Sequence, residues 1–398
     1  MARAQAVNLL DGDFWAGEPL PVLDWMRRHE PVYRDEASDL WGITRHADVR
    51  AIGSDPRSFS SAAGARPDAP HMPMMIDFDD PEHARRRGLV GRGFTPRQVA
   101  SREPRIREIV DSIIDRVCER GEADFVWDVA APLPLIVIAE LLGVAPEDHA
   151  DLLRWSDEML RALGSPDPSA MEVATRAFGD YTTYISRVIE ERRRTGDRED
   201  LVGIFVHAEW EGQTLDDDSL VYETLNLLIG GDETTRHVIS GGMYELLQDP
   251  KQRDLVARHP SRVSAAVEEM LRWVSPIKGM ARTAVREVEV GGHGFHPGDR
   301  VLLLYPSANR DADAFADPDR FDVTRTPNEH VAFGHGPHFC LGASLARLEM
   351  RVMFERLLER LPDLAYAGDG PPPVRRANFV TGLESMPVTF TPSAPSRA

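Results

Sequence analysis

Hydrophobic positions along the chain recur mostly at intervals of three and four residues, which is the spacing of amphipathic helices. The clearest stripe lies within Pro104–Arg120 and consists of Ile106, Ile109, Val110, Ile113, Ile114 and Val117. The same pattern predicts helices over Leu215–Leu247, Pro260–Trp273 and Leu341–Leu361. The chain is therefore predicted to be mainly α-helical.

Strand patterns are confined to two regions. A short pair is predicted at Pro31–Arg34 and Leu40–Thr44, and hairpins are predicted between Ala281 and Leu304, where glycine and proline pairs mark the turns. Strand and helix do not alternate, which argues against a doubly wound parallel sheet. Neither an internal repeat nor a low-complexity linker is visible, so we expect one domain over residues 1–398.

Composition narrows the class of protein. The 398 residues include 65 acidic and 46 basic side chains, a net charge of −19, which argues against binding to nucleic acid or to an anionic membrane. The longest apolar stretch, Val129–Ala139, is shorter than the roughly 20 residues of a membrane span. Met1–Leu10 lacks the apolar core of a signal peptide. The two cysteines provide no disulfide framework, so we expect a cytoplasmic protein.

The segment around Cys340 carries the strongest chemical signal. The sequence Phe333-Gly-His-Gly-Pro-His-Phe-Cys-Leu-Gly342 leads into a predicted helix, whose N-terminal dipole and free amides favour a thiolate. Its glycines allow the backbone to approach a large flat group, and Pro337 stiffens the loop. Such a thiolate suits the axial position of a haem iron. The other cysteine, Cys118, is predicted to be a core residue.

A zinc site is an alternative interpretation of the same segment. It would use His335, His338 and Cys340, with His330 nearby. The spacing of these residues is irregular and there is no second cysteine pair, so zinc would leave the glycine–proline loop unexplained.

The pattern Phe333-x-x-Gly336-x-His338-x-Cys340-x-Gly342 resembles the haem-ligand signature of the haem-thiolate monooxygenases, the cytochrome P-450 family. The resemblance extends over roughly Leu20–Thr391. It implies a mainly α fold with a minor β region, the family's helical triangular prism. It also implies haem b (iron protoporphyrin IX), with Cys340 as the metal ligand and Phe333, Gly336, His338 and Gly342 as cofactor-binding residues. The implied reaction inserts one oxygen atom of dioxygen into an unactivated C–H bond.

A predicted ion pair supports the resemblance. Glu269 and Arg272 lie at i, i+3 on one helix, where their side chains can pair, and apolar neighbours suggest that the pair is not simply exposed. They resemble the family's buried Glu-x-x-Arg pair, and Arg320 is expected to be the third member of this network.

The segment Leu228–Thr235 supports it further. It places two adjacent glycines inside a predicted helix, at a cost of about 1 kcal/mol each relative to alanine, which predicts a locally opened helix. Glu233 and Thr234 follow these glycines and resemble the family's acid–alcohol pair. They are expected to be catalytic residues that deliver protons during oxygen cleavage. For Asp232, a solvated helix residue is the alternative to a share in this role.

The resemblance also assigns residues to the haem propionates and to electron transfer. The candidate propionate contacts are His83, Arg87, Arg282 and His338. No flavin or nicotinamide fingerprint is present, so we expect ferredoxin and ferredoxin reductase as electron donors, with NAD(P)H as the ultimate source. A candidate docking surface for an acidic ferredoxin consists of Arg85, Arg86, Arg87, Arg92, Arg97, Arg102, Arg105 and Arg107. We expect a monomer.

The substrate class is narrowed by resemblance alone. Met74–Pro81, Ile229–His237, Glu268–Trp273 and Ala377–Pro387 resemble the actinobacterial branch that oxidises the side chain of cholesterol and cholestenone. The residues expected by analogy to line the substrate pocket are Met72, Met74, Ile76, Ile229, Val274, Ile277, Met280, Phe379, Val380 and Thr381. We therefore predict hydroxylation of the terminal methyl of a sterol side chain. A hydroxylase of macrolides or other secondary metabolites is the alternative enzyme, and a haem-binding sensor without turnover is an alternative of another class.

Overall fold

The computed structural model describes residues 7–165, 167–197, 199–209 and 212–396, apart from the side chain of Arg92. Helices dominate this described part of the chain. In order, the α-helices are α1 Gly12–Ala16, α2 Pro19–His29, α3 His46–Gly53, α4 Glu82–Gly91, α5 Pro96–Ser101, α6 Glu103–Val117, α7 Pro132–Leu142, α8 His149–Arg161, α9 Pro168–Thr195, α10 Leu201–Val206, α11 Asp217–Gln248, α12 Pro250–Arg258, α13 Val263–Val274, α14 Tyr305–Ala308 and α15 Ala343–Arg360.

The four helices predicted from periodicity are confirmed as α6, α11, α13 and α15, with ends that differ by a few residues. Local capping explains one of these differences. Helix α11 begins at Asp217 because the side chain of Asp216 accepts a hydrogen bond from the amide of Ser219 (2.7 Å). All six predicted apolar positions of α6 are buried.

The strands form small sheets. They are β1 Val32–Asp35, β2 Leu40–Ile43, β3 Phe59–Ser60, β4 Glu122–Asp124, β5 Gly279–Ala284, β6 Val288–Val290, β7 His293–Phe295, β8 Arg300–Leu304, β9 Ala365–Tyr366 and β10 Pro387–Thr389. One sheet has the order β1-β2-β8-β5-β3, a second has the order β4-β10-β9, and β6 pairs with β7. The predicted N-terminal pair β1–β2 is antiparallel, and β2 runs parallel to β8.

The long helix α11 lies in the largest hydrophobic core and packs against α7, α13 and α15. The apolar stretch Phe125–Leu142 is long and apolar enough to pass as a membrane span, but 72% of it is buried inside the protein. It consists of a π-helical turn at Phe125–Ala130 followed by α7, and both segments pack against α11. This stretch is therefore a core element.

Helix α11 runs without interruption from Asp217 to Gln248, so the predicted local opening at the glycine pair is absent. Of the two glycines, only Gly231 is required for close packing. A Cβ at Gly231 would lie 2.9 Å from Ile138 Cγ1 of α7, whereas a Cβ at Gly230 would meet nothing within 4 Å. Gly231 therefore allows α7 to approach α11, and Gly230 leaves space beside the helix.

Candidate active site

The loop before α15 folds tightly around Cys340. The amide of Cys340 donates to the carbonyl of Phe333 (2.8 Å). Gly336 has φ +77°, and a Cβ at this position would lie 2.0 Å from the carbonyl oxygen of Gly53. Only glycine satisfies both the left-handed backbone and this close approach.

The thiol of Cys340 faces two opposing influences. Burial raises the pKa of the Cys340 thiol, whereas amide hydrogen bonds from Gly342 and Ala343 and the charges of Arg87 and Arg347 lower it. Ala343 is the first residue of α15, so the predicted placement of the thiol at a helix N-terminus is confirmed. These donors and cations would stabilise a thiolate bound to a cation.

Cys340 lines a cavity between α11 and the loop before α15. Including its open mouth, this cavity encloses about 1490 Å³ of space not filled by atoms. Its wall includes Phe333 and Gly342 beside the cysteine, and Gly230 and Thr234 from α11.

The four candidate propionate contacts all line this cavity: His83, Arg87, Arg282 and His338. Among the described residues, no carboxylate lies within 4.0 Å of the guanidinium of Arg87 or Arg282, although only 5% of Arg282 is exposed. The side chain of Arg282 donates to the carbonyl of Ala281 (2.7 Å), and that of Arg87 donates to the carbonyl of Phe339 (2.6 Å). Two cations without carboxylate partners beside a cysteine thiol fit a cofactor that carries acidic groups and a metal.

His83 and His338, the other two candidate propionate contacts, lie side by side at the cavity wall. The ring centroids of His83 and His338 lie 4.0 Å apart with the planes tilted by 32°, and Nε2 of His338 lies 3.3 Å from Oγ of Ser61. Burial, together with nearby arginines, lowers the pKa of His338 to about 2, and burial also lowers the pKa of His83. Both rings would serve as hydrogen-bonding groups toward a cofactor in this cavity.

The acid and the alcohol predicted on α11 lie on different faces. Thr234 lines the cavity, and its hydroxyl donates to the carbonyl of Gly230 (3.1 Å). Glu233 does not line the cavity. Its carboxylate is fully buried and accepts hydrogen bonds from Arg375 (2.9 Å) and from Arg236. Consecutive helical residues point about 100° apart, which separates the two side chains. Asp232 is completely buried, which excludes the alternative of a solvated helix residue.

The Glu-x-x-Arg pair is buried as predicted, but its third member is different. Glu269 accepts two hydrogen bonds from Arg272 (2.7 and 2.8 Å) and one from Nε of Arg325 (3.1 Å). Arg320 contributes only its main-chain carbonyl, which accepts from Arg272 (3.1 Å), and its side chain is exposed. The prediction for the Arg320 side chain is therefore wrong, because the loop turns Arg325 toward Glu269. Asn328 also donates to Glu269 (3.1 Å).

The predicted substrate residues are distributed over three locations. Ile76, Ile277 and Met280 line the cavity. Behind this wall, an apolar cluster contains Ile229, Phe379 and Val380. The predicted residues that belong to neither group are Met72, Met74, Val274 and Thr381.

Local packing explains the positions of Met74, Val274 and Thr381. Met74 is buried, with its sulfur 3.1 Å from Nη1 of Arg66. Its neighbour Met75 lines the cavity in the place predicted for Met74. Val274 packs against Gly241 of α11. The hydroxyl of Thr381 is turned to the carbonyl of Arg375.

Sequence reasoning missed several residues of the site. Tyr305 and Glu349 line the cavity, and both are buried. Arg375, which pairs with Glu233, was also missed. An acidic residue among the apolar positions of the helix was the sequence signal available for Glu349. Arg375 is a single arginine in a C-terminal loop, and its sequence context carries no such signal.

The zinc alternative has no structural support. Among the described residues, no group of three or more histidine, cysteine, aspartate or glutamate side chains converges as a metal site would require. The loop instead presents one thiol to a wide cavity with basic residues at its edge.

A helical framework, a buried Glu-x-x-Arg pair and a single cavity-lining cysteine together define a haem-thiolate enzyme. The chain matches the cytochrome P-450 family model over residues 156–257 and 262–388, and it belongs to that family. It is a P-450 monooxygenase, and its family implies a haem-thiolate cofactor and a separate source of electrons.

Particular relatives extend the comparison. The chain is 48% identical to a steroid C26-monooxygenase of Mycobacterium tuberculosis over 99% of this chain and 100% of that protein. It is 39% identical to a vitamin D(3) 25-hydroxylase of Pseudonocardia autotrophica over 97% of this chain and 96% of that protein. A Bacillus megaterium P-450 crystallised with testosterone superposes with a TM-score of 0.87 at 32% identity, covering 94% of this chain and 98% of that chain.

Proposed function

We propose that this monooxygenase hydroxylates the terminal methyl of a sterol side chain, with cholesterol or cholest-4-en-3-one as substrate. The observation that carries the proposal is the 48% identity to steroid C26-monooxygenases over nearly the whole chain. The cavity supports it, because apolar side chains such as Ile76, Ile277 and Met280 form much of its lining, as a hydrophobic substrate requires.

Haem b is the proposed cofactor, with Cys340 as the iron ligand and Arg87 and Arg282 facing its propionates. When bound, the haem supplies the chemistry of oxygen activation. His83 and His338 would add hydrogen bonds to the propionates. Replacement of Arg282 by glutamine is expected to weaken haem retention, because this buried arginine has no carboxylate partner among the described residues.

The rate at which the holoenzyme loses haem to apomyoglobin measures haem retention in Arg282→Gln. The control is the Arg286→Gln variant, whose side chain is 60% exposed near the end of the same strand. Equal rates of haem loss from both variants would contradict the assignment of Arg282.

Proton delivery is proposed to involve Glu233 and Thr234. The hydroxyl of Thr234 faces the cavity and can hold and pass a proton there. Glu233 is the nearest acid along the chain, but its carboxylate is held by Arg236 and Arg375. It would have to be released from these partners before it could supply protons to the threonine.

Electrons are proposed to come from a ferredoxin and its reductase in the cytoplasm. Phe339 is 40% exposed beside Cys340, and it marks the surface nearest to the iron ligand. Of the predicted arginine cluster, the members paired with carboxylates within the chain are Arg85, Arg86, Arg105 and Arg107. Within the described side chains, Arg97 and Arg102 have no carboxylate within 4.0 Å, and the side chain of Arg92 lies outside the description.

Neutralising both Arg97 and Arg102 with glutamine should slow the first electron transfer from an acidic ferredoxin. Stopped-flow reduction under carbon monoxide measures this rate. The difference from the native enzyme should vanish near 1 M salt, where the Debye length is about 3 Å. Arg28→Gln, at another exposed arginine, is the control. Unchanged reduction at low salt would contradict docking at this surface.

A spectral titration tests the substrate class. Cholest-4-en-3-one should shift the spin state of the ferric holoenzyme at low micromolar concentration, and turnover should yield a hydroxylated product. A shift with a macrolide and none with sterols would favour a tailoring hydroxylase. Tight haem binding without any product in the presence of a competent reductase would favour a sensor.

A further inference from the structure

The C-terminal segment 375–384 is a turn closed at its base. The amide of Arg375 donates to the carbonyl of Gly382 (2.9 Å), and Val374 and Leu383 form an antiparallel bridge. The guanidinium of Arg375 also donates to the carboxylate of Glu384 (2.9 Å). Backbone and side-chain contacts therefore hold the two ends of the turn together, so that the turn can move as one unit.

The tip of this turn is bonded to the cavity wall. The amide of Lys278 donates to the carbonyl of Phe379 (2.9 Å), and the amide of Thr381 donates to the carbonyl of Pro276 (3.0 Å). Pro276 and Ile277 line the cavity, and Ile277 packs against the apolar cluster that contains Phe379. A molecule that displaces this part of the wall would therefore displace the turn.

The base of the turn reaches the acid on α11. Nη1 of Arg375 lies 2.9 Å from Oε2 of Glu233, and Arg375 also pairs with Asp157 of α8. Both Glu233 and Arg375 are at most 2% exposed. The second carboxylate oxygen of Glu233, Oε1, is buried without a hydrogen-bond partner. The acid is therefore held at one oxygen by cations that belong to the turn and to its own helix.

The charges around Glu233 come from each element that packs against it: Asp232, Arg236 and His237 on α11, Asp157 on α8, and Arg375 on the turn. Burial would raise the pKa of Glu233, but the charges of Arg236 and Arg375 outweigh burial and hold the pKa below its ordinary value. A carboxyl group held in this way is ionised, and it carries no proton to deliver.

We propose that Arg375 is a positioning residue for Glu233: it holds the carboxylate ionised and outside the cavity, and a substrate that presses on Pro276 and Ile277 loosens this hold through the turn. The inference deepens the proposed function and rests on the proton-delivery role of Glu233. It links occupation of the cavity to release of the acid, so that protons reach the reaction centre only when a substrate is bound.

The test uses the holoenzymes of Arg375→Gln and Arg375→Lys. Without sterol, NADH oxidation by Arg375→Gln should rise as the pH falls, because the loss of one cation raises the pKa of Glu233, whereas the sterol-free native enzyme, in which Arg375 still holds the acid, should show no such rise. Arg375→Lys keeps the charge and should restore the native pH profile. The control Arg376→Gln changes the adjacent arginine, which is 67% exposed and pairs with Asp13, and should behave like the native enzyme.

Hydrogen exchange tests the link to the cavity without reliance on activity. Cholest-4-en-3-one should accelerate amide exchange of the peptide that covers residues 375–384 in the native holoenzyme. In Arg375→Gln this exchange should already be fast and should not respond to the sterol. Exchange that is unchanged or slowed by the sterol in the native protein would overturn the inference.

A Glu233→Gln variant separates failure of the inference from failure of the proposed proton role. If this variant keeps the native product per NADH, Glu233 does not deliver protons. If it uncouples turnover while folded Arg375→Gln keeps both the native pH profile and native exchange, the positioning role of Arg375 is refuted and the proton role of Glu233 stands.

Discussion

Replacement of Arg325 by alanine is expected to destabilise the fold far more than the same replacement of Arg320. Nε of Arg325 lies 3.1 Å from Oε2 of Glu269, a carboxylate that is 0% exposed. The same guanidinium donates to three main-chain carbonyls, those of Ala316 (2.6 Å), Asp317 (3.1 Å) and Arg320 (3.0 Å). Arg325 therefore joins α13, through Glu269, to the loop that follows α14.

The magnitude follows from what remains after the substitution. Removing one partner of a buried ion pair costs about 3–5 kcal/mol. Glu269 would keep both hydrogen bonds from Arg272 (2.7 and 2.8 Å), so the lower end of about 3 kcal/mol applies. Arg320 acts through its carbonyl, which alanine retains, and its exposed side chain should contribute within about 0.5 kcal/mol.

Urea unfolding of both holoenzymes, followed by circular dichroism at pH 7, measures the two free energies of unfolding. Arg325→Lys should fall between the native protein and Arg325→Ala, because lysine keeps the charge but loses the forked geometry. Equal destabilisation by Arg320→Ala and Arg325→Ala would refute the assignment of Arg325 to this network.

Two further substitutions test the cysteine loop and its surroundings. Gly336→Ala should prevent stable haem binding, because its Cβ would lie 2.0 Å from the carbonyl oxygen of Gly53. The control is Gly292→Ala, which is also at φ +77° but has open space around it and should cost only the backbone strain of about 1 kcal/mol. The haem content of the two purified variants compares them. Burial would raise the pKa of Glu268, but hydrogen bonds from Arg347 lower it to about 2. The ionised carboxylate therefore stabilises the fold fully above the unfolded pKa of about 4.3. This contribution to stability is lost as the pH falls toward 2. The urea midpoint of Glu268→Gln should lie below that of the native protein at pH 7 and approach it in acid, and a constant difference would contradict this assignment.

Periodicity and local chemistry were sufficient for the framework and for the cysteine loop. The apolar stripe of α6 and the glycine-rich approach to Cys340 are local features, and the structure keeps both. The i, i+3 spacing of Glu269 and Arg272 likewise fixed a contact within one helix. Such features depend on neighbours along the chain, so a single sequence contains them.

Contacts between distant segments could not be predicted in the same way. Arg320 and Arg325 lie in the same loop sequence, and only the path of that loop decides which side chain reaches Glu269. Glu233 and Thr234 are adjacent, yet helical rotation points one of them to Arg375 and the other to the cavity. The missed partner Arg375 lies 142 positions away from Glu233, and no local pattern links them.

The central claim is the position of hydroxylation. The terminal methyl has a stronger C–H bond than the neighbouring tertiary carbon, so oxidation at the methyl requires the cavity walls to hold the chain end in place. The decisive measurement is turnover of cholest-4-en-3-one under ¹⁸O₂ by the reconstituted holoenzyme, with the product identified by mass spectrometry and NMR. We expect one labelled hydroxyl group on the terminal methyl of the side chain. A hydroxyl on the tertiary carbon or on the ring system, or no sterol product at all, would contradict the proposed function.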